Sequence, residues 1–175
     1  NKYNPKLFLI GYDNNFGYKG LGNYEFLLKH LSDSNIEVKK FNSFLCNNKL
    51  IKSSIIKELI DRGSVDQVNC YLGRYFSIKG IVIKGDMIGR TIGYPTANIA
   101  LNEKQQIVPR NGVYSVNLIS DNKEYIGLCN IGYRPTIKIK GDLSIEVHLL
   151  NCDYINLYGK NIIIEFKEYI RDERK

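Results

Sequence analysis

From residue 75 onward the chain is written in short alternating runs: YFSIKGIVIKG, NGVYSVNLIS, EYIGLCNIG, LSIEVHLL and NIIIEFKEYI. Alternation of apolar and polar residues is the period of a strand with one buried face. Turn-forming pairs, Asp121-Asn122 and Gly141-Asp142, separate several of these runs. Many short strands joined by tight turns close a core as an antiparallel barrel or a sandwich.

Before residue 75 the texture is different. Leu7 to Ile10 reads as a buried strand ending at Gly11, and Ile36 to Phe41 as a second strand. Between them Asn23 can cap a helix carrying Leu27, Leu28 and Leu31. Ser53 or Ser54 is expected to cap a helix carrying Ile55, Ile56, Leu59 and Ile60, with Gly63 at its stop. A further short helix from Val65 ends at Gly73. This is half of a β-α-β arrangement, too small to close its own core without further chain or another covering surface. The boundary between the two textures is placed at residues 73 to 77. The fold class expected is α+β overall, with an antiparallel second part preceded by a partial Rossmann-like α/β segment.

The formal net charge of +7 favours an anionic partner, but the lysines are spread along the chain as on a solvated surface. RRM and zinc-finger signatures are absent. No run of about 18 apolar residues occurs, so no membrane span is expected. Cys46, Cys70, Cys129 and Cys152 are scattered, without metal-ligand spacing, which suits reduced thiols in a cytoplasm.

One stretch stands apart. GDMIGRTIGYPTANIAL, from Gly85 to Leu101, joins two expected strands. Gly85, Gly89 and Gly93 let backbone N–H groups approach a polyphosphate, and Arg90 adds a permanent cation. Pro95 stiffens the exit. Thr96 and Asn98, two apart on a strand, share a face and offer hard oxygen atoms to a phosphate-bound Mg²⁺. A glycine-rich hairpin with a capping Thr and a turn Asn is the alternative. In LSIEVHLL, Leu143, Ile145, Val147 and Leu149 take one face and Ser144, Glu146 and His148 the other. Glu146 is thus displayed on a strand, as a positioned base requires, or else belongs to an ordinary solvated face.

In order along the chain, G-x-x-x-G-R-x-x-G-x-P-T-A-N-I, NGVYSV, YIGLCNIGYRPT, SIEVHLL, LYGKNIIIEF and YIRDE resemble riboflavin kinase, and in particular the kinase module of the bacterial bifunctional riboflavin kinase/FMN adenylyltransferases. The first part is similar to their adenylyltransferase module, through GYDNNFGYKGLGN and KSSIIKELIDRGSV, with Ser54 and Lys57 where that family usually has Thr and Arg. The resemblance implies a riboflavin kinase-like barrel over 75–175 and part of a nucleotidyltransferase domain over 1–74. It also implies ATP- and Mg²⁺-dependent conversion of riboflavin to FMN. Thr96 and Asn98 would hold the metal, and Gly85, Gly89, Arg90 and Gly93 would shield the phosphates. Glu146 would be the catalytic carboxylate. Asp13, Phe16 and Gly17, with Ser53, Ser54 and Lys57, become candidates for the adenylyltransferase site, the helix start at Ser53 serving as a phosphate anchor. That module's H-x-G-H-type motif is missing, and the chain stops at RDERK where the family continues into a helix. The kinase phosphate site is therefore expected to be complete and the adenylyltransferase site not. Arg171 and Asp172 match the family segment near the flavin. Arg134 meets phosphate or flavin, or is a structural turn residue. His148 is expected as a strand neighbour and Tyr158-Gly159 as a turn. The expected partners are small molecules, neither nucleic acid nor membrane. The competing reading is a non-catalytic basic barrel that binds flavin or RNA.

Overall fold

The computed structural model describes residues 4–46, 49–84, 96–103, 105–133, 143–150 and 155–173. By contact the chain forms two compact units, Asn1–Ile51 and Lys52–Lys175.

The first unit is a β-α-β element. Strand β1 (Leu7–Gly11) runs parallel to β2 (Glu37–Phe41), from Leu7 opposite Glu37 to Gly11 opposite Phe41. Helix α1 (Tyr24–Leu31) connects them. Its start is fixed by the Asn23 side chain, which accepts a hydrogen bond from the Phe26 N–H at 2.8 Å. A short antiparallel pair follows, β3 (Leu45–Cys46) and β4 (Lys49–Leu50). Strand β1 is not the buried strand its apolar run suggests. Only Ile10 is buried; Leu7, Phe8 and Leu9 are exposed. Among the described residues its sheet has one other strand, so most of its apolar surface is left uncovered.

The second unit begins with α2 (Ser53–Arg62) and α3 (Val65–Leu72). Ser53 and Ser54 lie inside α2, and Lys52 holds the capping position with no side-chain bond, which corrects the expected cap. Both helices stop at glycines in the left-handed region, Gly63 (φ 80°) and Gly73 (φ 65°), where a Cβ would be strained. Six strands then close a barrel: β5 (Phe76–Ile83), β6 (Thr96–Leu101), β7 (Gly112–Ser120), β8 (Lys123–Tyr133), β9 (Leu143–Leu149) and β10 (Asn161–Arg171). Their order around the barrel is β10-β5-β6-β9-β8-β7, every neighbouring pair antiparallel. Of the two all-β solutions the sequence left open, the barrel is the one formed.

Alternate side chains fill the interior, among them Ile78 and Val82 of β5, Tyr114, Val116 and Leu118 of β7, Cys129 and Ile131 of β8, Ile145 and Val147 of β9, and Ile162, Ile164 and Phe166 of β10. The β7–β8 connection is a two-residue turn at Asp121-Asn122, both with positive φ (49° and 60°), as the twist of a tight hairpin demands.

The compact units part at Ile51/Lys52, earlier than the change of texture near residue 75, because α2 and α3 group with the barrel. Helix α3 packs on β10 and β5, and its Val65 belongs to the barrel's own apolar core. Asn69 pins it there. Its amide donates to the carbonyls of Phe166 (2.9 Å) and Lys167 (3.4 Å), and its carbonyl accepts from the Phe76 N–H at 2.7 Å.

Candidate active site

With the core residues pointing inward, the residues between them form a polar field on the outer face of the barrel. Pairing of β6 with β9 sets Asn98 opposite Glu146 and Thr96 opposite His148. Pairing of β9 with β8 sets Glu146 opposite Asn130 and His148 opposite Leu128. The row between these two, Ala97, Val147 and Cys129, points inward. Thr96, Asn98 and Glu146 therefore share one side of the sheet.

The Glu146 carboxylate is held from two directions. The Thr96 hydroxyl donates to Oε2 at 3.3 Å and the Ser144 hydroxyl to Oε1 at 3.2 Å. A carboxylate has about four lone-pair sites, so two bonds orient it while leaving acceptor capacity for a substrate hydroxyl. The Thr96 oxygen keeps lone pairs of its own, and Asn98, two residues on along the same face, is buried. These are hard oxygen donors of the kind that complete the shell of a phosphate-bound Mg²⁺, and they fit that ion. Among the described residues no cluster of three or more His, Cys, Asp and Glu exists that could hold a metal without such a ligand.

A cavity of about 280 Å³ opens in front of Glu146. Thr96, Asn130 and His148 supply its polar wall, and Val113 with Leu128 an apolar floor. Arg171 and Glu173, from the end of β10 and just beyond it, complete the rim. The row that begins Asn98, Glu146, Asn130 continues to Val113 on β7 and Arg171 on β10. Two register shifts in β10, between Phe166 and Glu168 and between Tyr169 and Arg171, make this possible. The first turns Tyr169 toward Tyr114, with ring centroids 5.2 Å apart, and the second returns Arg171 to the outer face.

The residue between the two rim side chains faces elsewhere. Asp172 is bound by the Arg110 guanidinium and by the Tyr169 hydroxyl at 2.6 Å. The Tyr169 hydrogen bond, followed by the charge of Arg110, holds its carboxyl below the usual range. Arg110 also lies 5.3 Å over the Tyr169 ring. Its carbonyl accepts from the Tyr114 hydroxyl at 2.6 Å, and burial pushes that phenol well above its ordinary pKa.

Of the residues singled out from sequence, Thr96, Asn98 and Glu146 are brought together. Gly85, Gly89, Arg90 and Gly93 lie outside the described residues, as do Pro95, Arg134 and the Gly141-Asp142 pair. Asp13, Phe16 and Gly17 lie in the β1–α1 connection of the first unit, where Phe16 and Gly22 exchange backbone hydrogen bonds at 2.9 and 2.8 Å. Ser53, Ser54 and Lys57 are exposed on α2 of the second unit. Tyr158-Gly159 forms the expected turn, with Gly159 at φ 74°. Sequence reasoning passed over Asn130, Val113, Leu128 and Glu173. Alternation marks the first three as outward-facing, but only the strand order sets them beside Glu146.

Residues 72–175 match the Flavokinase family, described as riboflavin kinase. Curated relatives named bifunctional riboflavin kinase/FMN adenylyltransferase include one from Bacillus subtilis, 41% identical over 95% of this chain and 52% of its own length. One from Buchnera aphidicola (subsp. Schizaphis graminum) is 39% identical over 98% of this chain and 55% of its own. One from Escherichia coli K12 is 33% identical over 97% and 53%. The chain thus spans about half the length of the curated relatives it matches. A crystal structure described as a macrolide-efflux protein from Streptococcus pneumoniae shares the fold, with a TM-score of 0.83 and 28% identity over 97% of this chain and 54% of that one. No helix among the described residues is long and apolar enough to cross a membrane. With a family match over more than half its residues and its barrel closed, this chain belongs to the riboflavin kinase family.

Proposed function

We propose that the chain transfers the terminal phosphoryl group of ATP to the 5′-hydroxyl of riboflavin, yielding FMN and ADP, in the cytoplasm. The observation that carries this reading is the placement of Glu146 against Thr96, 3.3 Å away, and opposite Asn98, at the mouth of one cavity. A new bond forms between the flavin's 5′ oxygen and the γ-phosphorus, and the bond from that phosphorus to the β–γ bridging oxygen breaks. Such transfers pass through a loose transition state, so alignment and charge neutralisation govern the rate. Thr96 and Asn98 would hold Mg²⁺, which when bound neutralises phosphate charge. Glu146 orients the attacking hydroxyl and takes its proton. The Thr96 and Ser144 hydroxyls keep that carboxylate pointed at the cavity. The Gly85–Gly93 segment with Arg90 would cover the phosphate tail.

In this reading 75–175 is the kinase module and 1–74 is part of a Rossmann-like adenylyltransferase module. Asp13, Phe16, Gly17, Ser53, Ser54 and Lys57 belong to the latter. The FMN-to-FAD step would be a property of the longer protein, because the H-x-G-H-type motif is missing from this sequence.

The test is to incubate the folded chain with riboflavin and Mg-ATP and separate the flavins chromatographically. FMN is expected; its absence would overturn the kinase reading. Supplied with FMN and ATP, the same chain should make no FAD. Steep salt-dependent RNA binding together with indifference to ATP would favour the basic-barrel alternative.

A further inference from the structure

The cavity in front of Glu146 contains a second carboxylate. Asn130 stands directly opposite Glu146 across the β8–β9 ladder, which brings their Cβ atoms to roughly 4.5–5.5 Å. The Asn130 amide then reaches the Glu173 Oε1 at 3.5 Å. The two carboxylates therefore flank one amide, and Val113 and Leu128 supply the apolar part of the same cavity lining. Glu173 also lies against the backbone at Gly132. A Cβ built on that glycine would stand 2.2 Å from Oε1 and 2.6 Å from the carboxyl carbon. Gly132 has an ordinary φ, so what its missing side chain provides is room for the Glu173 head group.

We infer that Glu173 is a specificity-determining residue for the acceptor, binding hydroxyl groups of the polyol chain next to the hydroxyl that reacts at Glu146. This rests on the riboflavin kinase reading. The chemistry follows from position. An ionised carboxylate only accepts hydrogen bonds, so it recognises O–H and N–H donors. Its contact to Asn130 is long, and a long bond leaves most of that acceptor strength for a ligand. It lies about one strand spacing beyond Glu146, on the side away from Thr96 and Asn98. Phosphate held at those two residues and a hydroxyl held at Glu146 leave the remainder of the acceptor pointing toward Asn130 and Glu173. The carbons nearest the reacting one carry hydroxyls in a polyol, and these are the donors within reach.

The test uses the whole chain and reads riboflavin affinity in two ways, as KM in FMN formation and as equilibrium binding by flavin fluorescence. Glu173→Ala should weaken riboflavin roughly ten-fold or more, the scale of a hydrogen bond to a charged group. The loss should fall on riboflavin KM, with ATP KM unchanged. Glu173→Gln, which retains a neutral acceptor, should lie between wild type and Glu173→Ala. Binding of lumiflavin, the same ring system with a methyl in place of the polyol, should be equal in wild type and Glu173→Ala. Gly132→Ala displaces the carboxylate without removing it, and should raise riboflavin KM in the wild-type background but add nothing to Glu173→Ala. Unchanged riboflavin affinity in Glu173→Ala, or an equal loss for lumiflavin, would overturn the inference. So would a Gly132→Ala effect of the same size without Glu173. A wild-type chain that makes no FMN would sink the kinase reading instead, while the binding comparison would still decide the role of Glu173.

Discussion

Glu146, Thr96 and Asn98 form the smallest unit that matters, and each has a separable expected phenotype. If Glu146 takes the proton as proposed, Glu146→Gln removes that acceptor but preserves shape, so turnover should fall by about 10²–10⁴-fold while ATP KM stays unchanged, as steady-state kinetics would show. Thr96→Ala and Asn98→Ala should each shift the Mg²⁺ concentration for half-maximal rate upward several-fold, read by metal titration at fixed ATP. Asp172 supplies a pH signature. Its carboxyl is held low by the Tyr169 hydrogen bond and by Arg110, so its contribution to the native state is present above the ordinary carboxylate pKa. That contribution disappears as pH falls through the depressed value. Thermal midpoints of wild type and Asp172→Asn should therefore differ by a constant gap near neutrality and converge in acid. At this scale the sequence was readable where parity decided. Two residues apart on a strand must share a face, which fixed Thr96 with Asn98 and Ser144 with Glu146. Glu173 was not readable, because its place depends on two register shifts in β10 that no alternation pattern announces.

Among elements, α3 carries more of the barrel's integrity than its eight residues suggest. Asn69 satisfies two carbonyls of β10 and one N–H of β5 from a single side chain. Asn69→Ala would leave these partly buried groups without it, at about 2 kcal/mol by the usual range for such groups. A lower urea midpoint, with the helix content of the folded baseline retained, is the expected result. The two helix stops at Gly63 and Gly73 and the Asp121-Asn122 turn were legible because each needs a positive φ that few residues adopt readily. The cap of α2 was misread for an equally local reason. Serines suit both the cap and the first turn, and here the backbone enters the helix one residue earlier, at Lys52.

For the whole molecule, the question is where the functional barrel begins. Val65 and Val68 are fully buried, and each such burial contributes about 1.5–3 kcal/mol. A chain of residues 52–175 should therefore fold cooperatively and form FMN, whereas 75–175, stripped of α3, should melt at lower temperature. Circular dichroism melts of the two fragments would check this, and equal stability would mean that the helices are passengers. Helix and strand textures, the same-face sets and the kinase motifs were all determined by the sequence alone, since each depends on neighbours a few residues apart. Only the closed barrel decided that residues of β8, β7 and the end of β10 fall in one row with Glu146 on β9. Strand order and register join segments tens of residues apart, and they are set by filling one interior rather than by any local preference.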